Sequence, residues 1–216
     1  MKLLEPKIPS KLETSDSLDL SIAQALDIDL PIEHLLFYKD HLRYKDVNKI
    51  EFRGCHFNNV DLDHMEAQNN YLLDVLYEHC DLSNVNFRNS LFRRVKFKDC
   101  KLTGADFSEC MLDQLVFENC QMNYTNFSST KIKGLQFNEC QLNESSFNEC
   151  DLKKAEFHQC NLQRCEFLST SLNGVDLRSN QIEGLLLSLN NLKGAIVSSS
   201  QALDLSLLLG IKIKDN

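Results

Sequence analysis

Residues 97–127 read FKDCKLTGADFSECMLDQLVFENCQMNYTNF, and the large apolar residues in this stretch are spaced by five: Phe97, Leu102, Phe107, Leu112, Phe117, Met122 and Phe127. Two positions ahead of these centres runs a second series of smaller residues, Cys100, Ala105, Cys110, Leu115, Cys120 and Thr125. Working outward, the centres continue in register from Phe52 to Leu192, and only Ala67 among them is small; its partner two residues earlier is the large Met65. The two series therefore share one interior volume. All thirteen Phe, Phe37 included, fall in the first residue class, and all nine Cys fall in the second. Nine residues landing in one class of five by chance has odds of roughly one in several hundred thousand, so the pattern is architectural and marks a solenoid.

Neither the 3.6-residue period of an amphipathic helix nor the strict alternation of a strand fits a period of five. Six of the seven Gly, from Gly54 to Gly194, lie two positions after a centre, a class that also holds Asn59, Asn69, Asn84, Asn89 and Asn119. Both residue types tolerate positive φ, so each pentad reads as a short extended piece followed by a tight turn. From Leu82 to Phe167 Phe alternates with Leu, Met or Ile, apart from Phe92, and Cys80, Cys100, Cys120, Cys140 and Cys160 recur every twenty residues. Four pentads per coil would put Phe on opposite sides of a square and stack these thiols in a column. Eight coils at about 4.8 Å would make a rod of roughly 40 Å, with each buried centre contributing about 1.5–3 kcal/mol.

Segments such as CKLTGADFSEC (100–110) and CDLKKAEFHQC (150–160) match the loose Ala/Cys-Asp/Asn-Leu/Phe-X-X pattern of the pentapeptide repeat family, which this chain resembles over about 150 residues. The resemblance implies an all-β fold, a right-handed quadrilateral β-helix. The expected organisation is an N-terminal lead or cap over 1–34, the repeat helix over 35–197, and a capping and dimerisation segment over 198–216. The first coil is expected to be degenerate, because Asp40 and Lys45 are poor inner residues.

The chain has 216 residues and a formal charge of -8, from 31 acids against 23 bases. That balance argues against direct nucleic-acid binding and against an anionic lipid surface, both of which need basic surface. The longest apolar stretch, 205–211, is far short of the ~20 residues that span a bilayer. The first seventeen residues lack a signal-peptide core, so the expected compartment is the cytoplasm, with reduced thiols.

No cofactor, metal or catalytic constellation is expected. Cys160 and Cys165 form a C-x4-C with no second pair and no His at ligand spacing, and stacked Cys are better read as small, buried apolar residues. His56, His64, His79 and His158 fall on outward classes, and Asp61 and Asp63 at ordinary surface positions. No phosphate loop, HExxH or Ser/His/Asp arrangement occurs.

Sorting residues 50–197 by position modulo twenty defines four faces. The first, centred on Phe52, Leu72, Phe92 and their successors, carries Arg53, Arg93, Arg94, Lys131, Lys133, Lys153, Lys154 and Lys193 and sums to +4; the other three sum to -10. Glu78, Asp99, Glu118, Glu139 and Glu156 lie on the second face, centred on Phe57, Tyr77 and Phe97. Asp106, Glu109, Glu149 and Glu166 lie on the fourth, centred on Ala67, Phe87 and Phe107. Charge of this kind maintains solubility and blunts β-edges. It also allows a narrow acidic rod to present a DNA-like pattern to a protein with a basic DNA groove.

The end of the chain leaves the repeat. Ser198, Ser199 and Ser200 can cap a short helix through Leu209, Gly210 can end it, and Ile211, Lys212 and Ile213 read as a short strand. Apolar residues go nearly all round that helix, so Leu203, Leu205, Leu207, Leu208, Leu209, Ile211 and Ile213 are expected to form a two-fold interface. QALDLSLLLGIKI (201–213) is similar to the C-terminal end of the quinolone-resistance (Qnr) proteins, with Gln-Ala, spaced Leu and Leu-Gly-Ile. The register lacks the interrupting loops of the enterobacterial members, so the chain looks closer to the loop-free Gram-positive type. The resemblance implies a homodimer that binds DNA gyrase and topoisomerase IV and protects them from fluoroquinolones. The alternative is a generic pentapeptide repeat scaffold with another protein partner.

Overall fold

In the computed structural model, which describes residues 3–211, the chain winds into a parallel β-solenoid of about seven turns. The bends come every fifth residue: φ is 55°, 54°, 59° and 55° at Asn59, His64, Asn69 and Asp74, four corners in twenty residues. Most corner amides donate to a carbonyl of the next coil, as from Asn59 to Glu78 (3.0 Å) and from His64 to Ser83 (2.9 Å). A left-handed conformation costs a residue with a Cβ about 1–2 kcal/mol, and the stacked hydrogen bonds offset it. Gly and Asn are therefore favoured but not required. Arg94, Gln114, Tyr124, Glu139 and Arg164 also take positive φ, whereas Gly134 does not.

The order of elements is β1 (Glu13–Thr14), α1 (Leu18–Ile28), β2 (Ile32–Glu33), β3 (Leu35–Tyr38), β4 (Glu51–Arg53) and β5 (His56–Asn58). The longest strands follow, β6 (Tyr71–Glu78), β7 (Leu91–Lys98) and β8 (Met111–Glu118), and then β9 (Lys131–Ile132), β10 (Leu135–Asn138) and β11 (Ala155–His158). β6, β7 and β8 run across the first and second faces and turn the corner at Asp74, Arg94 and Gln114. Pairing is parallel with a twenty-residue offset throughout this region, as in Tyr71↔Leu91, Leu91↔Met111 and Leu135↔Ala155. The third and fourth faces contribute single bridges such as Asp81↔Lys101 and Asn86↔Asp106.

The interior is the one the period of five implies. Phe97, Phe117 and Phe137 stack on the second face at 5.0 and 5.1 Å. Phe107, Phe127 and Phe147 stack on the fourth at 5.0 Å. The two ladders meet edge to face, as at Phe117 and Phe127 (6.0 Å), an arrangement aromatic quadrupoles favour. All nine Cys are free and buried. In the column, Cys120 Sγ donates to the carbonyls of Phe97 (3.5 Å) and Glu118 (3.3 Å), so the thiols tie the inner corners together.

The N-terminal helix packs on the first coil. Leu18, Ile22 and Ala25 of α1 are buried against the first coil. Asp40, unsuited to the interior, turns its carboxylate to the start of α1 and accepts from the Leu18 amide (2.7 Å). Asp19 returns the contact by accepting from the amides of Arg43 and Tyr44. The parallel ladder reaches back to β1, where Glu13 pairs with Leu35, and Ile32 of β2 pairs with Phe52. At the other end the Leu189–Leu192 3-10 turn replaces a pentad side and leaves Leu187 and Leu192 half-buried. Irregular ends at both termini leave about seven turns rather than eight.

The last helix, α2 (Ser199–Ser206), starts at a Ser198 capping box with Gln201. It passes into a 3-10 turn over Leu207–Leu209, which ends at Gly210 with φ 72°. The Gln201 side chain donates to the carbonyls of Leu177 and Asn180, both at 2.8 Å, and pins α2 to the last complete coil. Lys212 and Ile213, the remainder of the expected terminal strand, lie outside the described residues.

Candidate protein-interaction surfaces

Two kinds of surface stand out: the acidic second and fourth faces, and the apolar C-terminal end. On the second face most acids have cationic or amide partners, because this face also carries bases. Glu78 lies 2.9 Å from His56 and 3.4 Å from Lys98, Glu118 pairs with Lys96 at 2.8 Å, and Glu156 accepts from Gln136 and sits 3.2 Å from His158. Asp99 accepts from the Asn119 amide (2.6 Å). Asp99, Glu118 and Glu139 line a shallow groove with Asn119, Asn138, His158 and Gln159.

The fourth face keeps its charge more fully. Glu149 accepts from Ser129 (3.0 Å), Glu166 accepts from Asn148 (3.0 Å), and Asp106 accepts from the Ser108 amide (2.8 Å). Arg88, the one base on this face, pairs with Glu109. Neutral donors orient a carboxylate without cancelling its charge, so this side of the rod is the more consistently anionic.

The basic first face divides along its length. Arg94 and Asp74 form a bidentate pair at 2.6 Å. Burial opposes ionisation of Asp74, but the guanidinium and the Lys7 amide outweigh it and hold the carboxyl below its ordinary value. Arg53 pairs with Glu51 and Glu33. Lys131, Lys133 and Lys154 have no ion-pair partner among the described residues.

At the C-terminal end Leu203, Leu207, Leu208, Leu209 and Ile211 are all exposed. Leu205 departs from the expected interface set, for it packs against the solenoid core and borders an apolar groove with Leu189, Leu192, Ala195, Val197 and Ala202. Gln201 is the one buried residue of α2. The segment thus packs on its own coil through Gln201 and Leu205 and leaves its remaining leucines exposed.

Among the described residues no group of three or more His, Cys, Asp or Glu could hold a metal ion. No described helix is long and apolar enough to cross a membrane.

The family profile for the pentapeptide repeat region matches residues 71–147 and 135–207. The chain belongs to the pentapeptide repeat family. Proteins of this family are structural or protein-binding scaffolds, which agrees with a surface built from faces and ends rather than from an enclosed site. A search of curated proteins found no match. Among solved structures, full-length QnrB1, a plasmid-mediated fluoroquinolone resistance protein, is similar at 22% identity, with 84% of this chain and 90% of that chain covered and a TM-score of 0.35. HetL, a pentapeptide repeat protein involved in heterocyst differentiation regulation in the cyanobacterium Nostoc, is similar at 13% identity, covering 82% and 96% with a TM-score of 0.34. Rfr23 from the cyanobacterium Cyanothece is similar at 10% identity, covering 83% and 99% with a TM-score of 0.27. Likeness at this level carries no function from those proteins to this pentapeptide repeat protein.

Sequence reasoning missed one surface feature altogether. Residues 3–9 run lengthwise over the corner between the first and second faces, with contacts reaching from Gly134 to Gly54. A signal for it exists: between His56 and Asp176 this outward class is polar at His56, Lys96, Gln136, Glu156 and Asp176 but apolar at Leu76 and Val116.

Proposed function

We propose that this protein is a Qnr-type, non-catalytic DNA mimic that acts in the cytoplasm as a homodimer, binding DNA gyrase or topoisomerase IV and protecting them from fluoroquinolones. The observation that carries the reading is an acidic, parallel-sided rod that ends in uncovered leucines. Supporting it is the resemblance of residues 201–213 to the C-terminal end of Qnr proteins. Asp106, Glu109, Glu149 and Glu166 on the fourth face would face the enzyme's basic DNA-binding surface, with Glu78, Asp99, Glu118, Glu139 and Glu156 on the opposite side. Association between such surfaces is steered by charge and weakened by salt. Two copies joined end to end through Leu203, Leu207, Leu208, Leu209 and Ile211, with Ile213, would double the length of the rod.

Reversing charge on the fourth face, with Glu109→Lys, Glu149→Lys and Glu166→Lys combined, should weaken binding of the purified protein to gyrase by at least about tenfold at moderate salt, since a like-charge contact replaces an attractive one. Unchanged affinity would exclude this face from the contact. Leu208→Asp should convert a dimer to a monomer in sedimentation, because a carboxylate cannot be buried unpaired in an apolar interface. A mass unchanged by the substitution would mean that the terminal segment only caps its own coil.

A further inference from the structure

The N-terminal residues 3–9 are held on the outside of the solenoid by contacts directed at their main chain. The Leu4 amide donates to Gln114 Oε1 at 3.0 Å, and the Lys7 amide donates to Asp74 Oδ1 at 2.8 Å. The spacing fits an extended chain. Two coils separate Asp74 from Gln114, about 9.6 Å at the strand spacing, and three extended residues span about 10 Å.

The track is also shaped to admit the segment. A Cβ on Gly134 would lie 3.0 Å from Leu3 Cδ2 and 2.9 Å from Gln114 Nε2. Gly134 is the one glycine of the repeat without positive φ, so its backbone does not require glycine and the space beside it does. At the other end of the segment Pro9 Cδ lies within ordinary contact, 3.4 Å, of a Cβ built on Gly54, where the close neighbour is His34 at 2.7 Å. Between these ends Glu5 reaches Lys96 at 3.7 Å. Pro6 and Ile8 border a cleft over Leu76, Lys96 and Lys98, and Val116 is buried although it points outward.

We propose that this corner column, Asp74, Lys96, Gln114 and Gly134 with the apolar Leu76 and Val116, is a docking site for an extended peptide, which the chain's own residues 3–9 occupy at rest. The partner that fits is a protein segment in extended conformation, with an apolar residue to sit beside Gly134 and an acid two positions on for Lys96. Recognition of two amides by side-chain acceptors reads chain direction and spacing, so a foreign segment of that chemistry meets the same contacts. Release of residues 3–9 would leave Gln114 without this donor and uncover Leu76 and Val116, an apolar strip that another segment can cover. A short tether holds its ligand at an effective concentration in the millimolar range, so the resident segment gates the site against free peptide. This surface is separate from the fourth face and stands whether or not the partner of that face is a topoisomerase.

The test uses a fluorescein-labelled peptide of residues 3–11 (LLEPKIPSK) and full-length protein. In Leu3→Asp/Glu5→Lys the resident segment is repelled by its own track while the track stays intact. Hydrogen exchange should show the amides of residues 4 and 7 protected in the unsubstituted protein and open in this variant. The peptide should bind the variant with a micromolar Kd and the unsubstituted protein at least about thirtyfold more weakly. Adding Gln114→Ala or Gly134→Val to the variant should weaken binding at least about tenfold, with the melting temperature confirming an intact solenoid. Opened amides without peptide binding at 1 mM would overturn the proposal, as would equal binding to both proteins or amides that remain protected in the variant.

Discussion

Raising the pH from 8.5 to 10.5 should destabilise the folded protein far more than it would a protein of this size with few buried thiols. The unfolded chain ionises its Cys above about pH 8.5, but the fold holds eight of them protonated to higher pH. Burial pushes the Cys55 thiol up to about 11 and those of Cys110 and Cys165 up to about 12. At Cys140 the hydrogen bond with Cys120 is the largest cause, helped by burial, and the thiol is pushed up to about 12. Cys100, Cys120, Cys150 and Cys160 shift in the same direction. The sign follows from proton counts: above 8.5 the unfolded state binds fewer protons than the native state. Stability is therefore complete below that pH and falls as pH rises toward the folded values, by about 1.4 kcal/mol per pH unit for each such thiol. Denaturant midpoints across this range measure the slope, and Cys120→Ala should make it shallower by one thiol. A midpoint flat to pH 10.5, or thiolate absorbance rising near pH 8.5 in the folded protein, would contradict a buried column.

Phe117→Ala should cost about 3–5 kcal/mol, the range for deleting a buried aromatic ring. Phe117 is 0% exposed. It stacks on Phe97 and Phe137 and meets Phe107 and Phe127 edge to face, at 5.6 and 6.0 Å. The cavity would therefore open in the middle of both ladders, where coils on either side are paired to strands and have little freedom to collapse. A loss below 1 kcal/mol in equilibrium unfolding would place Phe117 outside the load of the core.

The interior was legible because burial selects residue type directly. A position that faces inward every five residues must be apolar and is mostly large, and the corner ahead of it is mostly smaller, so thirteen Phe and nine Cys reported the period and the coil. The C-terminal helix was legible for a different reason, since Ser198, Gln201 and Gly210 are local signals whose partners lie within a few residues. Corner identity was less informative, because inter-coil hydrogen bonds hold Tyr124, Glu139 and Glu144 at positive φ as readily as Asn. The N-terminal segment was not read, since its contacts join residues up to 110 positions apart and follow no period. Asp40, read only as a defect of the first coil, is the acceptor that seats α1. Of the candidate surfaces, sequence fixes which face each acid belongs to, but only the packed side chains distinguish the neutralised second face from the more anionic fourth.

Protection of a type II topoisomerase, as proposed for this rod, is read in the enzyme's own reactions. Its most direct test is gyrase supercoiling and drug-stabilised DNA cleavage with purified protein, titrated against ciprofloxacin and using gyrase from a Gram-positive host. Supercoiling should recover and cleavage complexes decline as the protein is added. Supercoiling that stays blocked and cleavage that stays undiminished at every protein concentration would contradict protection.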